Sequence, residues 1–256
     1  QNALFEYGGY FGYRPLREAL VSYLRVHKGI QCRHQQIIIT SGAKDAFRML
    51  GLALINPYSE LGAAAPTTRF PAEIFNRIGY GILPVAVDQE GLMIESLRDH
   101  PTSFLIYISS SRQAPVGGTL SITRRTAFVE FAHRHGHLII EDDYEREFRY
   151  RGAPGNSLFQ LSDEDVVHVG SFSRTLAPAL RLGYVVIPEK IMETVRESHA
   201  LLGTPPPTMN QAVVGEMIAN GSYEKQLYKM TRIYKVKMAA MTRALEDVFG
   251  DEIVLS

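Results

Sequence analysis

The sequence predicts an α/β protein built on a mostly parallel sheet covered by helices on both faces. Two observations carry this. The strand candidates are short, continuous apolar runs rather than alternating ones, as expected when both faces of a sheet are buried. Those runs alternate with amphipathic helical patterns along most of the chain. Composition agrees: of 256 residues, 45% are hydrophobic and 21% charged, an ordinary globular balance with material for a sizeable core.

From Pro15, the stretch RPLREALVSYLRVHKG places Leu16, Leu20, Val21 and Leu24 at helical spacing, with proline in the first turn and Gly29 just past the end. Gln36 to Thr40 is a β-branched run that turns at Ser41-Gly42 into a second helical pattern, AKDAFRMLGLALI. The alternation continues with an apolar run at Gly62 to Ala65, a helix around Ala72 to Ile78, and strands at Ile82 to Val87 and Phe104 to Ser109. A helix near Thr123 to His135 precedes strands at His137 to Ile140, Val166 to Val169 and Leu182 to Ile187. Gly203-Thr204-Pro205-Pro206-Pro207 then reads as a linker into a helical pattern carrying Tyr223, Leu227, Met230, Tyr234, Met238 and Met241.

Charge and cysteine content exclude some functions. Lys and Arg number 27 against 27 Asp and Glu, which argues against a basic nucleic-acid face spread over this chain. No apolar run approaches the roughly 20 residues needed to span a bilayer. The single Cys32 cannot form an internal disulfide framework, and the start lacks a secretory pattern, so a reducing cytoplasmic location is expected.

In an open parallel sheet, ligands bind at the carboxyl ends of the strands. Four such places carry chemistry. The turn Ser41-Gly42-Ala43-Lys44 opens a helix whose free N–H groups suit a phosphate, although a plain strand-to-helix turn has the same sequence. Glu141-Asp142-Asp143-Tyr144 places three acids at a strand mouth, able to bind Mg²⁺, to hold a protonated ring nitrogen, or to form a solvated loop. Ser171, Ser173, Arg174 and Arg181 make a polar cradle suited to phosphate, because guanidinium forks match phosphate oxygens. Ser109 to Gly117 forms a loop over the same edge, fixed by Pro115 and Gly117. Two other clusters read as structural: His133, His135 and His137 are split by Gly136, and the basic residues of Lys225 to Lys237 form a solvated helix face.

Taken together, Tyr7-Gly8, Gly12 to Glu18, Ile39 to Gly42, Ile140 to Tyr144 with Glu147 to Tyr150, Gly170 to Ser173 and Pro178 to Tyr184 resemble the MocR/GabR family. These bacterial regulators join a GntR-type winged helix-turn-helix to a domain shaped like a fold-type-I aminotransferase that uses pyridoxal 5′-phosphate. The resemblance implies a three-layer α/β/α large domain with a seven-stranded sheet. It also implies an N-terminal arm over 1–14, the large domain over 15–203, and the start of a helical small domain over 204–256.

By the same resemblance, Gly42, Ala43 and Lys44 cup the cofactor phosphate, completed by Ser171, Ser173 and Arg181. Asp142 pairs with the pyridine nitrogen, with Asp143 as the competing choice, and Tyr144 approaches the phenolic oxygen. The departures matter as much. Arg174 stands where the family has the lysine that captures the cofactor aldehyde, and a permanently charged guanidinium cannot do so. Thr68 takes the place of the ring-stacking aromatic residue, with Phe70 as the substitute, and Arg112 and Ala114 replace residues of the loop over the ring. The expectation is noncovalent cofactor binding and no transamination.

The chain is expected to be a piece of a longer regulator that senses an amino-acid or amine effector and forms a homodimer. Its DNA-binding domain would lie before Gln1, and its carboxylate-gripping region after Ser256. The rival readings are a class I/II aminotransferase fragment, including one inactivated at Arg174, and a dimerisation module that binds no cofactor.

Overall fold

The computed structural model describes residues 9–66, 69–98, 100–144, 146–148 and 155–250. Helix α1 (Arg14–Lys28) carries Pro15 in its first turn and ends on Gly29, whose φ of 68° is the left-handed turn that glycine supplies at a helix end. Strand β1 (Ile37–Thr40) leads into α2 (Ala43–Leu54), and β2 (Glu60–Ala64), α3 (Arg69–Ile78) and β3 (Gly81–Val85) follow. A small ribbon, β4 (Val87–Asp88) with β5 (Gly91–Leu92), precedes β6 (Leu105–Ile108), α4 (Ile122–His135) and β7 (Leu138–Asp142). The short α5 (Leu158–Leu161), β8 (Val166–Ser171), β9 (Gly183–Val186), α6 (Glu189–Leu202), α7 (Thr208–Ala219) and α8 (Ser222–Phe249) complete the order.

Among the described residues, seven strands form the main sheet in the order β1-β9-β8-β7-β6-β2-β3. The run from β3 to β8 is parallel, and β9 is antiparallel to both its neighbours, β8 and β1. The predicted three-layer, mostly parallel architecture is therefore observed. Periodicity did not disclose the reversal at β9, because a strand buried on both faces reads alike in either direction.

Strand residues alternate between two cores, one on each face. Ile37, Ile39, Ile106, Ile108, Ile139 and Val166 pack with Leu16, Leu20 and Leu24 of α1 and with Phe128 and Ala132 of α4. Ile38, Leu105, Tyr107, Leu138, Ile140 and Val167 pack with Phe47 and Leu50 of α2, Phe75 of α3 and Val195 of α6. Helix α7 joins the first core through Val214 and Ile218, and Gly215 lies against Leu16, where an added Cβ would come within 3.2 Å of its Cα. Tyr223, at the start of α8, is buried in the same core, whereas Tyr228, Val236, Met241 and Val248 further along α8 are exposed. Among the described residues, no helix is long and apolar enough to cross a membrane.

Candidate cofactor site

Because β9 runs against its neighbours, its first residue lies at the carboxyl ends of β1 and β8: Gly183 pairs with both Thr40 and Ser171. The approach is close. A Cβ on Gly183 would lie 2.9 Å from the Gly170 carbonyl, 3.1 Å from Gly42 Cα and 3.1 Å from Thr40 Oγ1, so only glycine lets the three segments converge. This convergence brings the turn Gly42-Ala43-Lys44, the end of β8 at Ser171 and the entry to β9 at Arg181 to one edge.

Gly42 precedes α2 with φ 83°, and the first-turn N–H groups of that helix open onto the same edge. A Cβ built on Gly42 would meet only Arg181 Nη1, at 4.0 Å, so the turn forms an open cradle with the guanidinium at its rim. Arg181 adopts φ 51°, and among the described residues it is the one non-glycine residue with positive φ. Such a conformation costs on the order of 1–3 kcal/mol and persists only where its surroundings impose it. Ser171 is half-buried, and its Oγ accepts from the Ser173 N–H at 3.2 Å. Lys44 is exposed, with Nζ 5.5 Å from the centre of the Phe70 ring, and Phe70 packs on Phe47. Thr68, and Tyr7 and Gly8 of the arm, lie outside the described residues.

The three acids at the end of β7 are all buried, which removes the solvated-loop alternative, and each has a different environment. Glu141 accepts from Ser110 Oγ at 2.6 Å, from the Leu158 N–H at 2.9 Å and from Ser157 Oγ, and lies 3.0 Å from His168 Nδ1. Burial opposes its charge, yet the bonds from His168, Ser110 and Ser157 hold it well below the usual carboxylate range. Asp143 pairs with Lys28 Nζ at 2.8 Å and accepts from Ser111 Oγ at 3.1 Å. Burial opposes its charge too, but the Lys28 ammonium, then His168, lowers it. Lys28, itself buried, also meets Glu147 Oε1 at 3.0 Å, and Tyr23 OH donates to that carboxylate at 3.3 Å.

Asp142 differs from both. It accepts one hydrogen bond from Tyr107 OH at 2.7 Å, and burial pushes its carboxyl up to about 7. Asp143 pushes the same way, while the Tyr107 bond and the Arg174 charge act against the rise. Arg174, exposed at the end of β8, places its guanidinium carbon 5.2 Å from the centre of the Tyr144 ring. Tyr144 OH donates to the Arg112 carbonyl at 3.5 Å. The loop after β6 is tied down by buried Arg125, which donates to the Ser110 carbonyl at 2.6 Å, the Leu120 carbonyl at 3.0 Å and the Asn156 carbonyl.

The sequence reading missed Lys28 and His168. Lys28 continues the Leu16, Leu20, Leu24 spacing and so falls on the buried stripe of α1, while His168 interrupts an apolar strand run. Either position was a visible signal of a buried charged partner. The histidine cluster is engaged in the structure itself: His133 Nδ1 lies 2.9 Å from Asp165, and His137 Nδ1 accepts from the Phe104 N–H at 3.2 Å. Burial lowers His137 to about 4. Among the described residues, no group of three or more His, Cys, Asp or Glu is placed to hold a metal ion.

A seven-stranded sheet with one reversed strand, a helix N-terminus facing an arginine, and a buried acid without an ammonium or imidazole partner among the described residues at the central strand end define a domain of the pyridoxal-phosphate transferase type. The model for aminotransferase class I and II matches residues 1–255, and the chain belongs to that family. It is 30% identical over 261 residues to the HTH-type transcriptional regulator YdeL of Bacillus subtilis, covering 98% of this chain and 56% of that protein. It is 28% identical over 249 residues to the probable rhizopine catabolism regulatory protein MocR of Rhizobium meliloti, covering 95% of this chain and 50% of that protein. The chain thus spans about half the length of the curated relatives it matches. Among solved structures, kynurenine aminotransferase of Pyrococcus horikoshii superposes with a TM-score of 0.88 at 28% identity, over 96% of this chain and 63% of that one. An archaeal alanine:glyoxylate aminotransferase gives 0.89 at 27% identity, over 96% and 64%.

The residues present fit the phosphate and the ring nitrogen of pyridoxal 5′-phosphate. The Gly42 cradle is open toward Arg181, and Asp142 is a buried acid held by one hydroxyl donor.

Proposed function

We propose that this chain is the effector-sensing, aminotransferase-like domain of a MocR/GabR-type transcription regulator, that it binds pyridoxal 5′-phosphate noncovalently, and that it does not transaminate. The observation that carries the reading is the convergence at Gly183, which sets the Gly42 turn beside Ser171 and Arg181.

The bound cofactor supplies an electron-accepting pyridine ring with an aldehyde beside a phenolic oxygen. On this reading the α2 N–H groups at Gly42, Ala43 and Lys44 donate to its phosphate, Ser171 and Ser173 add hydroxyl donors, and Arg181 adds a charged fork. Asp142, rather than Asp143, accepts from the ring N–H: Asp143 is already committed to Lys28 and Ser111. A cationic ring nitrogen beside Asp142 would also favour its charged form, which burial alone opposes. Tyr144 donates to the phenolic oxygen.

Arg174 occupies the position from which the family's lysine captures the aldehyde. Its guanidinium carries no neutral amine, so it neither bonds the aldehyde carbon nor shuttles a proton at neutral pH. That separates the sensor reading from an active aminotransferase fragment; the regulators among the relatives favour it over an inactivated one. The HTH-type regulators among the relatives support a DNA-binding domain elsewhere in the whole protein; the reading extends to a homodimer and an amino-acid or amine effector.

The test is a pair of titrations, with pyridoxal 5′-phosphate and with unphosphorylated pyridoxal, followed by fluorescence or calorimetry. The phosphorylated form should bind at least about ten-fold more tightly, and inorganic phosphate should compete. Equal binding of both would remove the phosphate-anchored reading.

A further inference from the structure

We propose that the pocket prefers a pyridine 5′-phosphate whose 4′ carbon is oxidised to a carboxylate, and that Arg174 is the residue that grips it. This rests on the cofactor reading above and specifies the oxidation state and charge of the ligand.

On the pyridine ring the 4′ carbon sits between the phenolic oxygen on one side and the phosphate-bearing arm on the other. If Tyr144 meets the phenolic oxygen and the Ser171, Ser173 and Arg181 group meets the phosphate, the 4′ substituent falls between those two anchors. Two observations set Arg174 beside those anchors. It follows Ser173 directly in the chain, and its guanidinium carbon is 5.2 Å from the centre of the Tyr144 ring. It is also close enough to Asp142 for its charge to favour the carboxylate form there. On the cofactor reading, a permanent cation therefore stands where a neutral amine would otherwise stand.

A guanidinium discriminates among 4′ groups by charge and by hydrogen-bond count. It has donors and no acceptor, and it does not deprotonate. A carboxylate receives two parallel bonds between opposite charges, an aldehyde oxygen accepts as a neutral group with no ion pairing, and an aminomethyl group, cationic at neutral pH, is repelled. Because Arg174 is exposed, water screens the pairing. The expected preference is therefore about ten-fold rather than several hundred-fold.

Three ligands differing only at the 4′ carbon test this: 4-pyridoxic acid 5′-phosphate, pyridoxal 5′-phosphate and pyridoxamine 5′-phosphate. Each is titrated calorimetrically into the chain and into Arg174→Gln, with circular dichroism checking that the variant is folded. The inference predicts that the acid binds about ten-fold more tightly than the amine, with the aldehyde between them, and that Arg174→Gln compresses the spread to about two-fold. If all three bind the unmodified chain alike, or the amine binds best, the Arg174 assignment is overturned while the cofactor reading stands. An acid preference that survives Arg174→Gln also overturns it, by placing the grip elsewhere. If none of the three binds, both the cofactor reading and this inference fail together.

Discussion

Replacing Lys28 by Met probes the charged layer beneath the site. The Lys28 side chain is 2% exposed and meets Asp143, 0% exposed, at 2.8 Å, and Glu147 at 3.0 Å. Removing the cation strands a buried carboxylate, and breaking a buried pair in this way costs roughly 3–5 kcal/mol. In a chain of this size each kcal/mol moves Tm by about 2–4 °C, so the expected drop is about 6–20 °C. The pH dependence gives a second readout. The folded pKa of Asp143 is lowered below 3.8, so its contribution is present above that value and is lost as pH falls through the folded pKa. That of Lys28 is raised above 10.5, so its contribution is present below that value and is lost as pH rises through the folded pKa. The pair is therefore intact between these limits. In Lys28→Met, burial is left to raise Asp143, which escapes its penalty by taking a proton, so the loss should be smaller at about pH 5 than at about pH 8. Thermal and urea denaturation at both pH values measure this. A Tm change under about 2 °C, or an equal loss at both, would refute the account of the pair.

Four further perturbations separate the parts of the site. Arg181→Ala should weaken pyridoxal 5′-phosphate binding roughly 10- to 100-fold by calorimetry, since it removes a charged hydrogen bond. Arg174→Lys should yield a borohydride-stable cofactor adduct, detected by mass spectrometry, that the unmodified chain lacks. For Asp142, whose pKa is raised from 3.8 to about 7, the folded state holds the proton longer; stability should fall as pH rises across that interval, then level off, and Asp142→Asn should flatten that slope in urea titrations. Gly170→Ala would set a Cβ 2.1 Å from Tyr184 Cζ across the β8–β9 pair, and the repacking should cost about 1–3 kcal/mol in chemical denaturation.

Much of this arrangement was legible in the sequence because local rules and the global fold agree. The apolar runs around Ile38, Ile106, Ile139 and Val167 became buried strands of the main sheet, and the turn at Gly42 opens α2 as expected. Pairing direction was not legible: β9 is as apolar as its neighbours, and its reversal depends on how the Ser171 to Leu182 segment returns to the sheet. Nor could the sequence rank the three adjacent acids. That distinction comes from tertiary partners distant in the chain, Lys28 for Asp143 and His168 with Ser157 and Ser110 for Glu141, which leave Asp142 with Tyr107. The strained backbone of Arg181 is likewise a tertiary outcome, since nothing in Ala179-Leu180-Arg181 requires positive φ.

On the proposed function, the chain holds pyridoxal 5′-phosphate by its phosphate and ring nitrogen and by no covalent bond. The most direct measurement equilibrates the unmodified chain with the cofactor, adds borohydride, and compares the cofactor retained by native protein with that retained after denaturation and gel filtration. The account predicts that native protein carries the cofactor and that denatured protein releases all of it. Cofactor that stays attached through denaturation, or native protein that never retains any, would contradict it.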